Sequence, residues 1–276
     1  MKKNILAPIF ILALAVIFNS CKKKTEVDNE TQSVVDNALC EQQFMAIQPV
    51  VNDKSISEKG IKREMASCET FSIIAGDTTD ANSDKIYDNG PVTFEIDYGT
   101  VGCVGPDGVY RTGKINFITP VRWSALTSAV TVTVNLVNYK ANTISYSGTI
   151  KITKPNATTI TTEVINGHCT NGTWNIDYQG TKTLTQTAGV ATKGDVSDDV
   201  YQITGNSSGV NREGRAFSTN ITSPLVKMAN CKWISSGTLD LTPSGFKTRT
   251  VDFGSGGCDD QATYTVNGQT ITFTLK

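Results

Sequence analysis

The chain has 276 residues, with 25 basic and 26 acidic side chains and one histidine, for a formal charge of −1 at pH 7. Near-neutrality excludes the basic footprint of a nucleic-acid binder. A single histidine excludes H-E-x-x-H sites and any multi-histidine metal centre. Charged residues make up only 18%, while Thr, Gly, Ser and Asn are abundant, a composition of strands and turns rather than helices.

The first residues read as an address. Lys2 and Lys3 precede an apolar run from Ile5 to Phe18, then Asn19-Ser20-Cys21 and three lysines. The run has the length of a signal-peptide core and is short for a membrane span. A cysteine directly after such a run resembles the lipobox of bacterial lipoproteins, with Phe18 and Asn19 where the usual box has Leu and a small residue. The resemblance implies cleavage before Cys21 and lipid on its thiol. Residues 1–20 are then a lipoprotein signal peptide and 21–31 a flexible, charged tether. With lysines after Cys21, the outer membrane is the favoured address.

Residues 32–67 form a helical segment. Val35, Leu39, Phe44 and Ile47 recur near helical spacing, Pro49 is expected to kink or end the helix, and a shorter helix is placed at 57–66. From Cys68 to the C-terminus the period becomes two. Val92, Phe94, Ile96 and Tyr98 alternate with polar residues, as do Val130, Val132, Val134 and Leu136, then Trp174, Ile176 and Tyr178, and finally Ile271, Phe273 and Leu275. Half-buried antiparallel strands give this pattern, and Asn267-Gly268 marks a two-residue hairpin. The expectation for 68–276 is an all-β antiparallel meander of about a dozen strands, as a sandwich, barrel or curled sheet, with the N-terminal helix packed on it.

Six cysteines remain after Cys21, an even number that in an exported chain implies disulfides. No C-x-x-C occurs, so neither a zinc ribbon nor a thioredoxin-type site is indicated. Two of the six end a repeated element, D-[YF]-G-x-x-G-C, at 97–103 and 252–258. Each unit opens on an upstream cysteine with a hairpin between. A hairpin's first residue lies opposite its last, so Cys68 is expected to face Cys103, and Cys231 to face Cys258. Cys40 and Cys169 are left to each other, which pins the helix to the sheet.

These units, together with Gly108-x-x-Arg111-x-Gly113-Lys114-Ile115, Asp198-Asp199-Val200-Tyr201, Ile203-Thr204-Gly205, Pro224-Leu225-Val226 and Cys231-Lys232-Trp233-Ile234 before Ser236-Gly237-Thr238, resemble a family of uncharacterised Bacteroidetes lipoproteins. The resemblance implies residence in the envelope and an extended β architecture. It supplies no activity and no site residues.

Candidate chemistry is sparse. Gly205-Asn206-Ser207-Ser208-Gly209 matches G-x-S-x-G, but a nucleophile elbow needs a following helix and a later histidine, and His168 lies earlier. Asp80, Asn82, Asp84 and Asp88 have calcium-loop spacing, but Lys85 replaces the turn glycine and Pro91 the final glutamate. Asp195, Asp198 and Asp199 form a second acidic group. Trp123, Trp174 and Trp233 are candidates for a sugar platform, or for the core. No phosphate-binding loop is present and no metal or cofactor is expected. The reading is a lipid-anchored envelope protein without enzymatic activity, with a binding or structural role and a glycan or protein ligand. Its rivals are a surface glycan hydrolase and a periplasmic carrier of an apolar ligand.

Overall fold

The computed structural model describes residues 28, 30–57, 68–105, 107–126, 130–192, 195 and 197–275. Cys21, the tether up to residue 27 and the second helix expected at 57–66 lie outside these, apart from residue 57. Among the described residues one α-helix, α1 (Gln32–Ser57), precedes the strands β1 (Thr70–Ala75), β2 (Val92–Asp97), β3 (Cys103–Val104), β4 (Tyr110–Thr119), β5 (Thr131–Ala141), β6 (Ile144–Thr153) and β7 (Thr159–Thr170). The chain continues through β8 (Asn175–Ala188), β9 (Val200–Val210), β10 (Ala216–Met228), β11 (Ile234–Pro243), β12 (Arg249–Ser255), β13 (Gln261–Val266) and β14 (Gln269–Thr274). All strands belong to one antiparallel sheet whose order follows the sequence, with β3 set aside as a short partner of β4. The sheet is therefore a single open meander ending at β1 and β14, which selects the curled sheet over the sandwich and the closed barrel.

Laid flat, such a sheet would be about 60 Å wide at ~4.8 Å per strand. A helix of 26 residues is about 39 Å long at 1.5 Å per residue. One helix can serve the inner face only if the sheet curls, and the contacts show how. Moving along α1 and the segment before it, turn by turn, partners shift from the last strands toward the first. The Glu30 carbonyl accepts from Arg249 of β12, Asn37 contacts Ser207 of β9, and Glu41 pairs with Lys182 of β8. Cys40 joins Cys169 of β7, Gln43 donates to the Tyr139 hydroxyl of β5, and Lys54 pairs with Glu69 just before β1. The helix lies across the strands, and the sheet wraps it.

The two halves of α1 are held differently. Cys40, Phe44, Ile47 and Val51 are buried in one cluster with inward residues of β2 and β4–β8. Phe44 stacks on Tyr178 with ring centroids 5.6 Å apart and meets Tyr146 edge-on at 5.8 Å. Burial pushes the Tyr98, Tyr139, Tyr146 and Tyr178 phenols upward from their ordinary pKa. Toward its N-terminus only Val34 joins the smaller cluster formed by β10–β13. Buried polar groups take over there, namely Glu30, Ser33, Asp36 and Asn37 on the helix side against Asn211 and Arg249 on the sheet side. Of the two outcomes expected at Pro49, α1 does not end there but runs through it to Ser57. Burial of Ile47 and Val51 on either side of the proline offsets the one backbone bond it removes.

The alternation read from sequence is reproduced in β2, where Val92, Phe94 and Ile96 are buried, and in β5 and β8. It weakens in β14, where Ile271 is exposed and Phe273 only half-buried, because the strand has a neighbour on one side only. Asn267 and Gly268 both take positive φ, as a tight hairpin requires.

Candidate binding surface

The three cysteine pairs stand at disulfide separation as expected. Cα atoms of Cys68–Cys103 are 5.9 Å apart, those of Cys231–Cys258 5.6 Å, and those of Cys40–Cys169 6.6 Å. The repeat holds at the level of its turn. Asp97 Oδ1 accepts from the Gly99 amide at 2.7 Å, and Asp252 Oδ1 accepts from the Gly254 amide at 2.8 Å. Both glycines have positive φ. One detail differs from the expectation. The cysteines are not opposed within a hairpin: Thr70 pairs with Asp97 and Ser236 with Ser255, Cys68, Cys231 and Cys258 lie outside the strands, and Cys103 pairs with Arg111 of β4 as part of β3.

The other candidate residues do not assemble into catalytic sites. Ser207 of the G-x-S-x-G string is buried in mid-strand and donates to Asn37, so no elbow forms. His168 of β7 pairs with Asp177 of β8, Nδ1 to Oδ1 at 2.8 Å, an ordinary cross-strand contact on the outer face. The acidic loop uses its carboxylates on its own backbone: Asp80 accepts from the Lys85 amide, Asp84 from Ile86, and Asp88 from Ala81. Among the described residues Asp80, Asp84 and Asp88 do not converge on a common point. Asp195 accepts from Ser197, Asp198 from Thr192, and Asp199 from Gln186 and Tyr201. Trp123 is buried, while Trp174 lies under the Arg212 guanidinium at 4.3 Å and Trp233 under Lys232 at 4.1 Å. A depression of about 320 Å3 lies beside the second cysteine unit, lined among others by Asp252, Phe253, Ser255 and Asp259. Both of these carboxylates cap backbone amides, Asp252 that of Gly254 and Asp259 that of Gln261.

What the sequence did not reveal is the order on the outer face. Directly opposed residues of antiparallel strands share a face, so register can be followed from strand to strand. Thr131 opposes Thr153, Thr153 opposes Thr161, Thr161 opposes Thr183, and Thr183 opposes Thr204. This is an unbroken row of threonines across β5 to β9. Its hydroxyls bond laterally, at 2.9 Å for Thr131–Thr153 and 3.1 Å for Thr161–Thr183. A second row lies two residues along: Thr133, Lys151, Glu163, Thr181, Asn206, Asn220, Asp240, Thr250, Thr265 and Thr270, one from each strand β5 to β14. Every member of both rows is exposed or half-exposed. Spacing is about 4.8 Å between strands and about 6.7 Å along them. Each hydroxyl carries one donor and two acceptor positions, so even laterally bonded threonines retain capacity toward a ligand. In sequence only the fragments T-x-T-x-T of β8 and T-V-T of β5 hint at this surface, and the register that aligns them is tertiary information.

No protein-family model matches the chain, and neither the curated proteins nor the solved structures contain a match to it.

Proposed function

We propose that the protein is a lipid-anchored component of the cell envelope, held by Cys21, whose outer sheet face binds an uncharged, hydroxyl-rich polymer such as a glycan without chemical turnover. The observation that carries this is the threonine row across β5–β9. Such a surface offers hydroxyl and amide groups at a regular interval. Its charges are few and of both signs, with Lys151 beside Glu163, so it has nothing to select a polyanion. It displays little apolar side chain for lipid or a buried peptide. A ligand with repeating hydroxyls can exchange water for protein at many points, each contact weak and the sum appreciable. The hydrolase reading gains no support from the depression at Asp252, whose carboxylates already serve the backbone. A carrier needs room inside the curl, and α1 occupies that place with Phe44, Ile47 and Val51.

The test is co-sedimentation of the mature chain with insoluble neutral glycans. Thr161→Glu with Thr183→Glu should release it while leaving its circular dichroism unchanged. Equal retention of the variant and the wild type would overturn the assignment of this face.

A further inference from the structure

Beneath α1 two side chains meet on one carboxylate, and a third binds one of the two. Glu41 Oε1 lies 3.1 Å from Lys182 Nζ. Its other oxygen, Oε2, accepts a hydrogen bond from Asn37 Nδ2 at 3.3 Å. The Asn37 carbonyl oxygen accepts from the Ser207 hydroxyl at 2.9 Å. Lys182 is fully buried, and Asn37 and Ser207 are each 4% exposed. Apart from the Glu41 ion pair, Lys182 Nζ has no hydrogen-bond partner among the described residues. Phe44 and Tyr178 stack nearby on the same helix and strand. An ammonium ion brought into such surroundings is costly to bury, and one carboxylate offsets only part of that cost. A structural salt bridge would be expected to complete the ammonium's hydrogen bonds. Here the second carboxylate oxygen is turned instead to the amide nitrogen of Asn37.

We infer that Lys182 and Asn37 are joined by an intramolecular isopeptide bond, with Glu41 as the proton-transfer catalyst. Glu41 takes a proton from the Lys182 ammonium, leaving a neutral amine and a carboxylic acid. The amine attacks Cγ of Asn37, and the Ser207 hydroxyl, already on Oδ1, stabilises the developing oxyanion. Glu41 gives its proton to Nδ2 and receives the one released from the Lys182 nitrogen. The Cγ–Nδ2 bond breaks, ammonia leaves, and an amide joins Cγ to Nζ. An ion pair and a primary amide become a neutral acid, a secondary amide and ammonia, so atoms and charges balance without an oxidant or cofactor. The reaction removes the buried charge, and Glu41 holds the amine on one oxygen and the amide on the other, so both reacting groups are bound to the same proton-transfer catalyst. Both Asn37 and Glu41 lie on α1, one turn apart, and Lys182 comes from β8. The bond would tie the helix to the strand next to the one held by Cys40–Cys169. A pull on the lipid tether enters the fold at the N-terminal end of α1, where these two links lie.

The mature chain, reduced, alkylated and digested, is to be examined by tandem mass spectrometry. The expected result is a branched peptide joining the segments that contain Asn37 and Lys182, lighter than the sum of its linear parts by one ammonia. Glu41→Gln should yield the two linear peptides instead. Retention of the Cys40–Cys169 disulfide in that variant shows that it has folded. Quantitative recovery of linear peptides with intact Asn37 and Lys182 from the wild type would overturn the inference on its own. Loss of ammonia confined to an Asn-Gly pair such as Asn166-Gly167, as a succinimide, would also overturn it.

Discussion

At the scale of single residues, two glycines show what the bends of the sheet require. Gly205 has φ of +127°, and a Cβ there would lie 2.0 Å from the Thr181 carbonyl oxygen. Gly113 has φ of +79°, with a Cβ 2.2 Å from the Asn138 carbonyl oxygen. Both sit where close backbone approach at a bulge or kink lets strands curl around α1. Gly205→Ala combines steric overlap with an unfavourable conformation and should destabilise the fold by roughly 1–3 kcal/mol or more. A fall in the urea midpoint with unchanged slope checks this. Asp97 offers a pH test. The Gly99 amide, and secondarily Lys114, hold its pKa below the ordinary aspartate value of 3.8. A carboxylate with a lowered folded pKa stabilises the native state above its unfolded value, and that stabilisation is lost as pH falls through the folded value. The native-state NMR midpoint of Asp97 should lie below 3.8, and Asp97→Asn should remove this part of the acid dependence. A midpoint at or above that value would sink the account of the turn.

At the scale of elements, the union of α1 with the sheet is polar at one end and apolar at the other. Arg249 is fully buried. Its guanidinium donates to the Glu30 carbonyl, pairs with Asp28 and lies 3.5 Å from the Glu30 carboxylate. Arg249→Met leaves both acids buried without their cation and should cost about 3–5 kcal/mol. Hydrogen exchange should show the loss concentrated in α1 and β12. A uniform change across the sheet would mean that Arg249 supports something other than this junction. The cysteine-bounded units act at the same scale. Cys231–Cys258 spans 27 residues, so Cys231→Ala with Cys258→Ala should lower stability by about 3 kcal/mol, mostly through the unfolded chain. Paired thermal melts of the variant and the oxidised wild type measure it.

At the scale of the whole molecule, a curled sheet holds one helix and turns a polar, repetitive face outward. No described helix is long and apolar enough to cross a membrane. The attachment proposed above is the lipid at Cys21. Two or three acyl chains anchor stably where one does not. Cys21→Ala should therefore move the protein from the membrane fraction to the soluble fraction of the envelope. Continued partitioning with membranes would remove the anchor from the proposal.

The elements and the cysteine pairings were legible along the chain, that of Cys40 with Cys169 by elimination. Period-two alternation, glycine-marked turns and the recurrence of D-[YF]-G-x-x-G-C are local patterns, and hairpin geometry converts them into neighbours in space. That reasoning located the strands and paired Cys68 with Cys103 and Cys231 with Cys258. It left open whether Pro49 kinks or ends α1, because the packing that carries a helix past a proline comes from side chains distant in sequence. That the sheet curls into one layer, rather than closing or folding into two, emerges only in three dimensions, since it depends on how bulges add up over many strands. The same holds for the threonine row and for the meeting of Asn37, Glu41, Lys182 and Ser207. Each requires the register of several strands at once, and register is set by the pairing of the whole sheet, which no single segment encodes.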